Sequence, residues 1–254
     1  LSRYGKYPAR KTDAYRYQAS LSQHRGCEPR RHPTAFAVSS GLSVRLTEIF
    51  HSLQGEARTV GRPTVFVRLT GCPLRCTYCD TAYAFEGGKQ HSLDSVLAQV
   101  AEHSADYVTV TGGEPLAQPA AIQLMQRLCD AGYQVSLETA GAMPIDDVDD
   151  RVSIVLDLKT PASGECDRNL LANVPLLRPK DQVKFVICDR GDYEWSKAQV
   201  HMHDLGSRVD DILFSPSYEE LAPVLLAQWV LEDRLKVRMQ LQLHKQIWGD
   251  KKGV

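Results

Sequence analysis

The sequence predicts an α/β fold built as a partial (incomplete) TIM-like β/α barrel. Three observations lead there. Stretches of strand character alternate with stretches of helical spacing from residue 64 to residue 243, which implies parallel strands joined by crossover helices. The polar segments that look chemical, GCPLRC (71–76), TGGEP (111–115), ETAG (138–141) and DLKTP (157–161), all follow strand patterns. Sites of parallel α/β folds gather at the carboxyl ends of strands, so one shared site is expected. The βα units are too few for a closed ring of eight.

Each element has its own justification. From Leu42 onward the texture becomes regular alternation, and TVFVRLT (64–70), rich in β-branched residues, reads as a strand entering the cysteine-bearing loop. HSLDSVLAQVAEH (91–103) carries Leu93, Val96, Leu97 and Val100 at helical spacing behind a cap candidate, Ser92. YVTV (107–110) is a short strand, and AAIQLMQRLCDAG (120–132) a helix stopped by Gly132. Strands follow at QVSLET (134–139), SIVLDL (153–158) and QVKFVI (182–187), then a helix through the 190s. DILFS (211–215) is a strand, YEELAPVLLAQWVLED (218–233) a helix and VRMQLQL (237–243) a closing strand. No internal repeat or low-complexity linker interrupts residues 41–254, which are expected to form a single domain.

Composition narrows the class. Hydrophobic residues make up 43% and charged residues 24% of the 254, ordinary for a chain with a sizeable core. No run of about 18 apolar residues is present, so no membrane span or membrane partner is expected. The seven cysteines (27, 72, 76, 79, 129, 166, 188) are odd in number and clustered only at 72–79. Together with the absence of a secretory signal, that points to a reducing, cytoplasmic setting. Cys129, Cys166 and Cys188 have no partner spacing and receive no function. Residues 1–40 hold eight Lys/Arg against Asp13 and Glu28, leaving 22 basic and 29 acidic residues for the rest. A nucleic-acid arm or an organelle presequence would fit that charge. The missing apolar periodicity favours a disordered leader or a mis-assigned start, so the basic leader receives no function and no direct nucleic-acid partner is expected.

Residues 71–81 read GCPLRCTYCDT, with Cys72, Cys76 and Cys79 separated by three and two residues. Thiolates suit zinc, copper(I) and iron–sulfur clusters. A structural zinc site wants four closed ligands, and the next histidine downstream is His91. A cubane held by three cysteines leaves one iron open to a small molecule. At these residues the chain resembles the radical S-adenosylmethionine superfamily: CPLRCTYC matches its signature, including Tyr78, and TGGEP resembles its glycine-rich strand end. Glycine there lets backbone approach a ligand closely. The resemblance implies a radical SAM type of barrel and a 4Fe-4S cluster on Cys72, Cys76 and Cys79. It also implies S-adenosyl-L-methionine chelated at the open iron and cleaved reductively to a 5′-deoxyadenosyl radical.

A longer stretch is more specific. EIFHSLQGEARTVGRPTVFVRLTGCPLRCTYCDTAYAF (48–85) closely resembles the 7-carboxy-7-deazaguanine synthase family, with its QGE turn, an arginine four residues before the first cysteine, and CDT ending the loop. The likeness runs over residues 44–249 and takes in ETAG, DLKTP, VKFVI and LHKQIWGD. It implies conversion of 6-carboxy-5,6,7,8-tetrahydropterin to 7-carboxy-7-deazaguanine with release of ammonia, assisted by Mg2+. A homodimer and an electron donor such as flavodoxin or ferredoxin are implied too.

The same resemblance suggests roles. Thr81 matches the magnesium ligand, a hard oxygen donor; as an isolated residue it would read as a helix cap. Leu53, Gln54, Gly55 and Glu56 match the substrate turn, and Thr111 and His244 match substrate contacts, with Lys245 beside the latter. Arg68 interrupts an apolar strand and needs an anionic partner: the substrate carboxylate suits its fork, and Glu48 is the protein alternative. Tyr78, Asp80, Gly113, Glu114, Asp157, Lys159, Gln182 and Lys184 match S-adenosylmethionine contacts, although Asp157 and Lys159 would equally make a strand-end ion pair. Some relatives place a terminal proline carboxylate at the substrate, whereas this sequence reads GDKKGV at 249–254, so that contact is not carried over. Competing readings are an activase of glycyl-radical enzymes and a non-catalytic iron–sulfur or zinc protein.

Overall fold

The computed structural model describes residues 41–249 and 251–253; the basic leader expected at 1–40 lies outside them. One sheet of nine strands organises the described chain. Strand β1 (Ser43–Leu53) pairs antiparallel with both β2 (Pro63–Leu69) and β3 (Lys89–Ser92). From β2 the sheet is parallel through β4 (Tyr107–Gly112), β5 (Gln134–Thr139), β6 (Ser153–Asp157), β7 (Gln182–Ile187), β8 (Asp211–Pro216) and β9 (Arg238–Met239). Along the parallel strands, spatial order follows chain order. Because crossovers share one hand, the helices cover a single face. β3 and β9 stand at opposite edges, so the sheet is not closed, in agreement with the expected partial barrel.

The period-two rule then sorts every parallel strand. Val65, Val67, Val108, Val110, Val135, Leu137, Ile154, Leu156, Val183, Phe185, Ile212 and Phe214 are buried in the main core. Into that core pack Leu93, Val96, Leu97 and Val100 of α1 (Leu93–Ala101) and Leu124, Met125 and Leu128 of α2 (Ala120–Asp130). Tyr193 and Val200 of α3 (Arg190–Met202) and Leu226, carried by a helix at Pro223–Glu232, join them. The intervening residues, Arg68, Thr111, Glu138, Asp157 and Lys184, take the opposite face. Ser92 caps α1 as expected, accepting from Ser95 N at 3.2 Å.

Two elements differ from the sequence reading. The helix expected from 218 begins at Pro223, because proline fits the first helical position and disfavours helix in the residue before it. The closing strand expected over 237–243 shrinks to Arg238–Met239, and Leu243–Trp248 is a short helix. Tertiary hydrogen bonds redirect this chain: Gln240 Oε1 accepts from Ala57 N at 3.0 Å, and Leu243 N donates to the Gly55 carbonyl at 2.9 Å. They carry it across the top of the sheet instead of along its edge. Numbered in order, the helix at Leu205–Arg208 is α4, that at Pro223–Glu232 α5 and that at Leu243–Trp248 α6.

Leu137, fully buried at the centre of β5, reports on this core. Leu137→Ala is expected to lose about 2–5 kcal/mol of unfolding free energy in a urea titration of the iron-free protein, through lost transfer energy and the cavity left behind.

Candidate active site

The inner face leads to one cavity of about 350 Å³ at the carboxyl ends of the strands. Its cysteine wall is the loop after β2, which Leu74, 1% exposed, pins to the interior. Cys72, Cys76 and Cys79 all line the cavity and lie close enough to feel one another's charge. Burial pushes each thiol up, that of Cys76 to about 11. Beneath them Gly113 must be glycine: a Cβ there would sit 2.3 Å from the Gly71 carbonyl oxygen and 2.6 Å from Cys72 Cβ.

The opposite wall is the turn after β1. Gln54 is 3% exposed; its Nε2 donates to Thr109 Oγ1 at 3.0 Å and Glu138 Oε1 at 3.3 Å, and its Oε1 accepts from Glu56 N at 3.1 Å. The Gln54 amide is therefore spent on holding neighbours in place. Thr111 Oγ1 donates to Glu138 Oε2 at 3.0 Å. Gly55 lies directly against His244, whose Nδ1 would be 2.1 Å from an added Cβ. Burial draws the His244 imidazole below the ordinary histidine value, partly offset by Glu56 and Asp80, so the ring is neutral at pH 7.

Between the walls runs a chain of charges. Glu56 Oε2 meets Lys184 Nζ at 2.6 Å, Lys184 reaches Asp157 Oδ2 at 3.4 Å, and Asp157 Oδ2 meets Lys159 Nζ at 3.2 Å. Burial pulls both ammonium groups down, but the adjacent carboxylates more than offset it and hold both above the ordinary lysine value. Burial, reinforced by Glu56, pushes the Glu138 carboxyl up. The Asp157 Oδ1 atom and the Tyr78 hydroxyl are buried without a protein partner, two polar atoms that a ligand could satisfy.

At the mouth, Arg68 Nε donates to Glu48 Oε1 at 2.8 Å, and the Tyr83 hydroxyl donates to the same oxygen at 2.7 Å. The protein carboxylate thus takes one edge of the guanidinium, while Arg68 still lines the cavity. Thr81 occupies the cap position of a short 3₁₀ turn, yet its side chain makes no capping bond. Its hydroxyl instead donates to Asp80 Oδ1 at 2.7 Å, setting two hard oxygen donors together. Burial would raise the Asp80 carboxyl, but Thr81, Lys245, Lys184 and His244 hold it below the usual aspartate value.

Leu53 and Lys245 also line this cavity, so nearly all the residues singled out from sequence converge there. Glu114 and Gln182 do not. Glu114 is fully buried behind the wall, where it accepts from Thr139 Oγ1, Ala140 N and Leu116 N. Its carboxylate shapes the strand ends, and its side chain does not line the cavity where the cofactor contact is expected. Gln182 is 2% exposed at the first position of β7, two residues deeper than Lys184 and below the cavity floor. Sequence reading placed Glu138 in the chemical-looking ETAG segment but gave it no role, although an acid inside the strand QVSLET carries the same signal that marked Arg68. It also missed Gln242, whose Nε2 donates to Glu56 Oε1 at 2.7 Å; no sequence pattern marks that residue.

Comparisons with known proteins place this geometry. Residues 66–163 match the model of the Radical SAM superfamily. A 7-carboxy-7-deazaguanine synthase from Chlorobaculum tepidum is 43% identical over 221 residues, covering 85% of this chain and all of that protein. One from Koribacter versatilis is 42% identical over 226 residues, covering 83% of this chain and all of the relative. The chain belongs to the 7-carboxy-7-deazaguanine synthase family. A crystal structure of QueE from Escherichia coli shares the fold, with a TM-score of 0.65 at 20% identity, over 80% of this chain and 95% of that one.

Membership in this radical SAM family brings a 4Fe-4S cluster and S-adenosylmethionine, and the residues fit both. Among the described residues no three His, Cys, Asp or Glu side chains converge on a single-ion site. Three thiols of one loop lining one cavity suit a cubane that leaves its fourth iron open to a small molecule. The open floor at Gly113 and the orphaned Asp157 Oδ1 and Tyr78 hydroxyl lie beside the thiols, where a chelated cosubstrate would be placed.

The charge chain yields a stability test. Lys184→Met leaves the partly buried Glu56 without its ion pair and Asp157 with Lys159 alone, and is expected to cost about 3–5 kcal/mol in urea unfolding at pH 7. Because the folded Lys184 pKa is raised, its stabilisation is fully present below the unfolded lysine value. It is lost as pH climbs through the folded value, so the variant should lack this part of the alkaline decline.

Proposed function

We infer that this chain converts 6-carboxy-5,6,7,8-tetrahydropterin to 7-carboxy-7-deazaguanine with release of ammonia, as a carbon–nitrogen lyase in the biosynthesis of queuosine-type 7-deazapurines. The observation that carries the reading is the meeting, in one cavity, of a three-thiol loop with the Leu53–Glu56 turn. When bound, the cluster and S-adenosylmethionine supply the radical that abstracts hydrogen from the substrate carbon bearing the carboxylate. The chain's own residues bind, orient and neutralise.

Arg68, with one edge on Glu48, offers its remaining nitrogens to the substrate carboxylate. Glu56 and Glu138 present acceptors suited to the N–H-rich edge of a pterin. Their positions are fixed by Lys184, Gln242, Gln54 and Thr111. Neutral His244, wedged against Gly55, closes the cavity over that edge. Lys159, ammonium-charged and 5.8 Å from the Tyr78 ring centroid, lies on the thiol side and suits an anionic cosubstrate group.

We assign Mg2+ to Thr81, supported by the neighbouring Asp80 carboxylate and by the preference of magnesium for few protein oxygens plus water and substrate oxygens. An electron donor such as flavodoxin or ferredoxin, and a homodimeric state, belong to the same reading and rest on the family resemblance. A cytoplasmic setting is supported by the need to keep three ligand thiols reduced. Among the described residues no helix is long and apolar enough to cross a membrane. Neither a glycyl-radical activase nor a passive cluster or zinc carrier calls for the polar wall around Glu138.

Reconstituted anaerobically, reduced, and supplied with S-adenosylmethionine, magnesium and carboxytetrahydropterin, the protein is expected to yield 5′-deoxyadenosine and 7-carboxy-7-deazaguanine together by mass spectrometry. Deoxyadenosine without the deazapurine would overturn the substrate assignment and leave the cofactor chemistry standing. Thr81→Ala is expected to keep its cluster but lose the stimulation by magnesium, read by titrating the metal into the same assay.

A further inference from the structure

The loop that carries the three cysteines is held from outside by a second loop, which hangs in turn on one buried carboxylate. Thr77, between Cys76 and Tyr78, donates its backbone N–H to the Ser163 carbonyl at 3.0 Å and its hydroxyl to the Ala162 carbonyl at 2.8 Å. Arg75 N, between Cys72 and Cys76, donates to Glu165 Oε1 at 2.6 Å. Both spans between the cysteines are therefore clamped by residues 162–165.

Those residues are short 3₁₀ turns around Gly164, tied internally by Ser163, whose hydroxyl donates to the Thr160 carbonyl at 2.6 Å and accepts from Glu165 N at 3.0 Å. Their anchor is Asp192, in the first turn of α3 and 1% exposed. Asp192 Oδ1 accepts from Ala162 N at 2.9 Å, and Oδ2 accepts from Cys188 N at 3.1 Å. The Thr160 hydroxyl shares its one proton between Asp192 Oδ2 and the Val186 carbonyl, each 3.0 Å away. Capping the helix is not the task of this side chain. Asp189 already does that, accepting from Asp192 N at 2.8 Å. Every side-chain bond of Asp192 instead leaves its helix, toward the 160–162 turn and the end of β7. A carboxylate this deeply buried is tolerated because three donors and a helix N-terminus satisfy it, and its partners are fixed in return.

We propose that Asp192 is a positioning residue for the iron–sulfur cluster, acting through the Thr160–Glu165 turn on Arg75 and Thr77 to hold the spacing of Cys72, Cys76 and Cys79. This rests on the cluster reading above. Asp192 does not line the cavity, and no sequence pattern singles it out. Outer partners of metal ligands set how tightly the metal is kept, and here the outer partner lies two loops away.

The test begins with iron and sulfide content of the reconstituted unaltered protein; failure to hold a cluster there would overturn the cofactor reading itself. With a cluster verified, Asp192→Asn removes one acceptor while preserving size. Iron release to a chelator is expected to be about tenfold faster or more, with altered g-values in the electron paramagnetic resonance spectrum of the reduced cluster. Thr77→Val removes only the exposed-side hydroxyl contact with Ala162. It should speed release in the same direction, and the double variant should release iron no faster than the worse single one. A folded Asp192→Asn with unchanged release and spectrum overturns the proposal, as does strict multiplication of the two effects. Should Asp192→Asn fail to fold, Thr77→Val decides: faster release upholds the strut, and unchanged release removes it.

Discussion

The ammonium of Lys184 ties the active-site walls together. It sits on the inner face of β7, 2.6 Å from Glu56 and 3.4 Å from Asp157, and so joins the turn after β1 to the ends of β6 and β7. Remove its charge and the partly buried Glu56 loses its ion pair, with the buried Glu138 close by and Asp157 left to Lys159 alone. With it, an acceptor-rich surface can exist in a low-dielectric cavity at neutral pH. The charged residues that line the cavity are thus part of the charge balance of the folded state.

That balance depends on a simpler constraint, the two-residue repeat of parallel strands. In β2 and β4 to β8 one set of side chains must meet the helices, and it is apolar almost without exception. The other set points to a space that none of α1 to α5 covers and that α6 reaches only at the top. Such an open inner face can hold polar residues only where they pair with one another, as Thr109 does with Ser136 at 2.8 Å and Thr111 with Glu138 at 3.0 Å. The incomplete ring matters for the same reason. Because β9 is only two residues long and β3 ends the other side, the chain after Met239 can cross the open top and bring Gln242 and His244 to the site.

Close backbone approach does the remaining work. Gly113 allows the strand end to pass under Cys72, and Gly55 allows His244 to press against the turn after β1. Glu114 follows Gly113, and its carboxylate gathers Leu116, Thr139 and Ala140 around the ends of β4 and β5. A residue beside a cavity-lining glycine can shape the site without facing it, as Glu114 does beside Gly113.

The amino-acid sequence alone was enough for the strand–helix alternation, the open α/β barrel, the three-thiol loop and the glycines beneath it. These features are local: periodicity, ligand spacing and turn chemistry are complete within a few residues. Arg68 was legible because a charge inside an apolar strand demands a partner, and the same logic applied to Glu138 would have found it. Only the tertiary structure decided that Gln182 lies below the cavity, that Gln54 is consumed in holding Glu138, and that the final segment turns into a helix over the site. Those outcomes depend on which strand stands beside which and on hydrogen bonds between residues far apart in the chain. Sequence periodicity carries the facing of a side chain but not its depth, and depth separates a ligand contact from a supporting one.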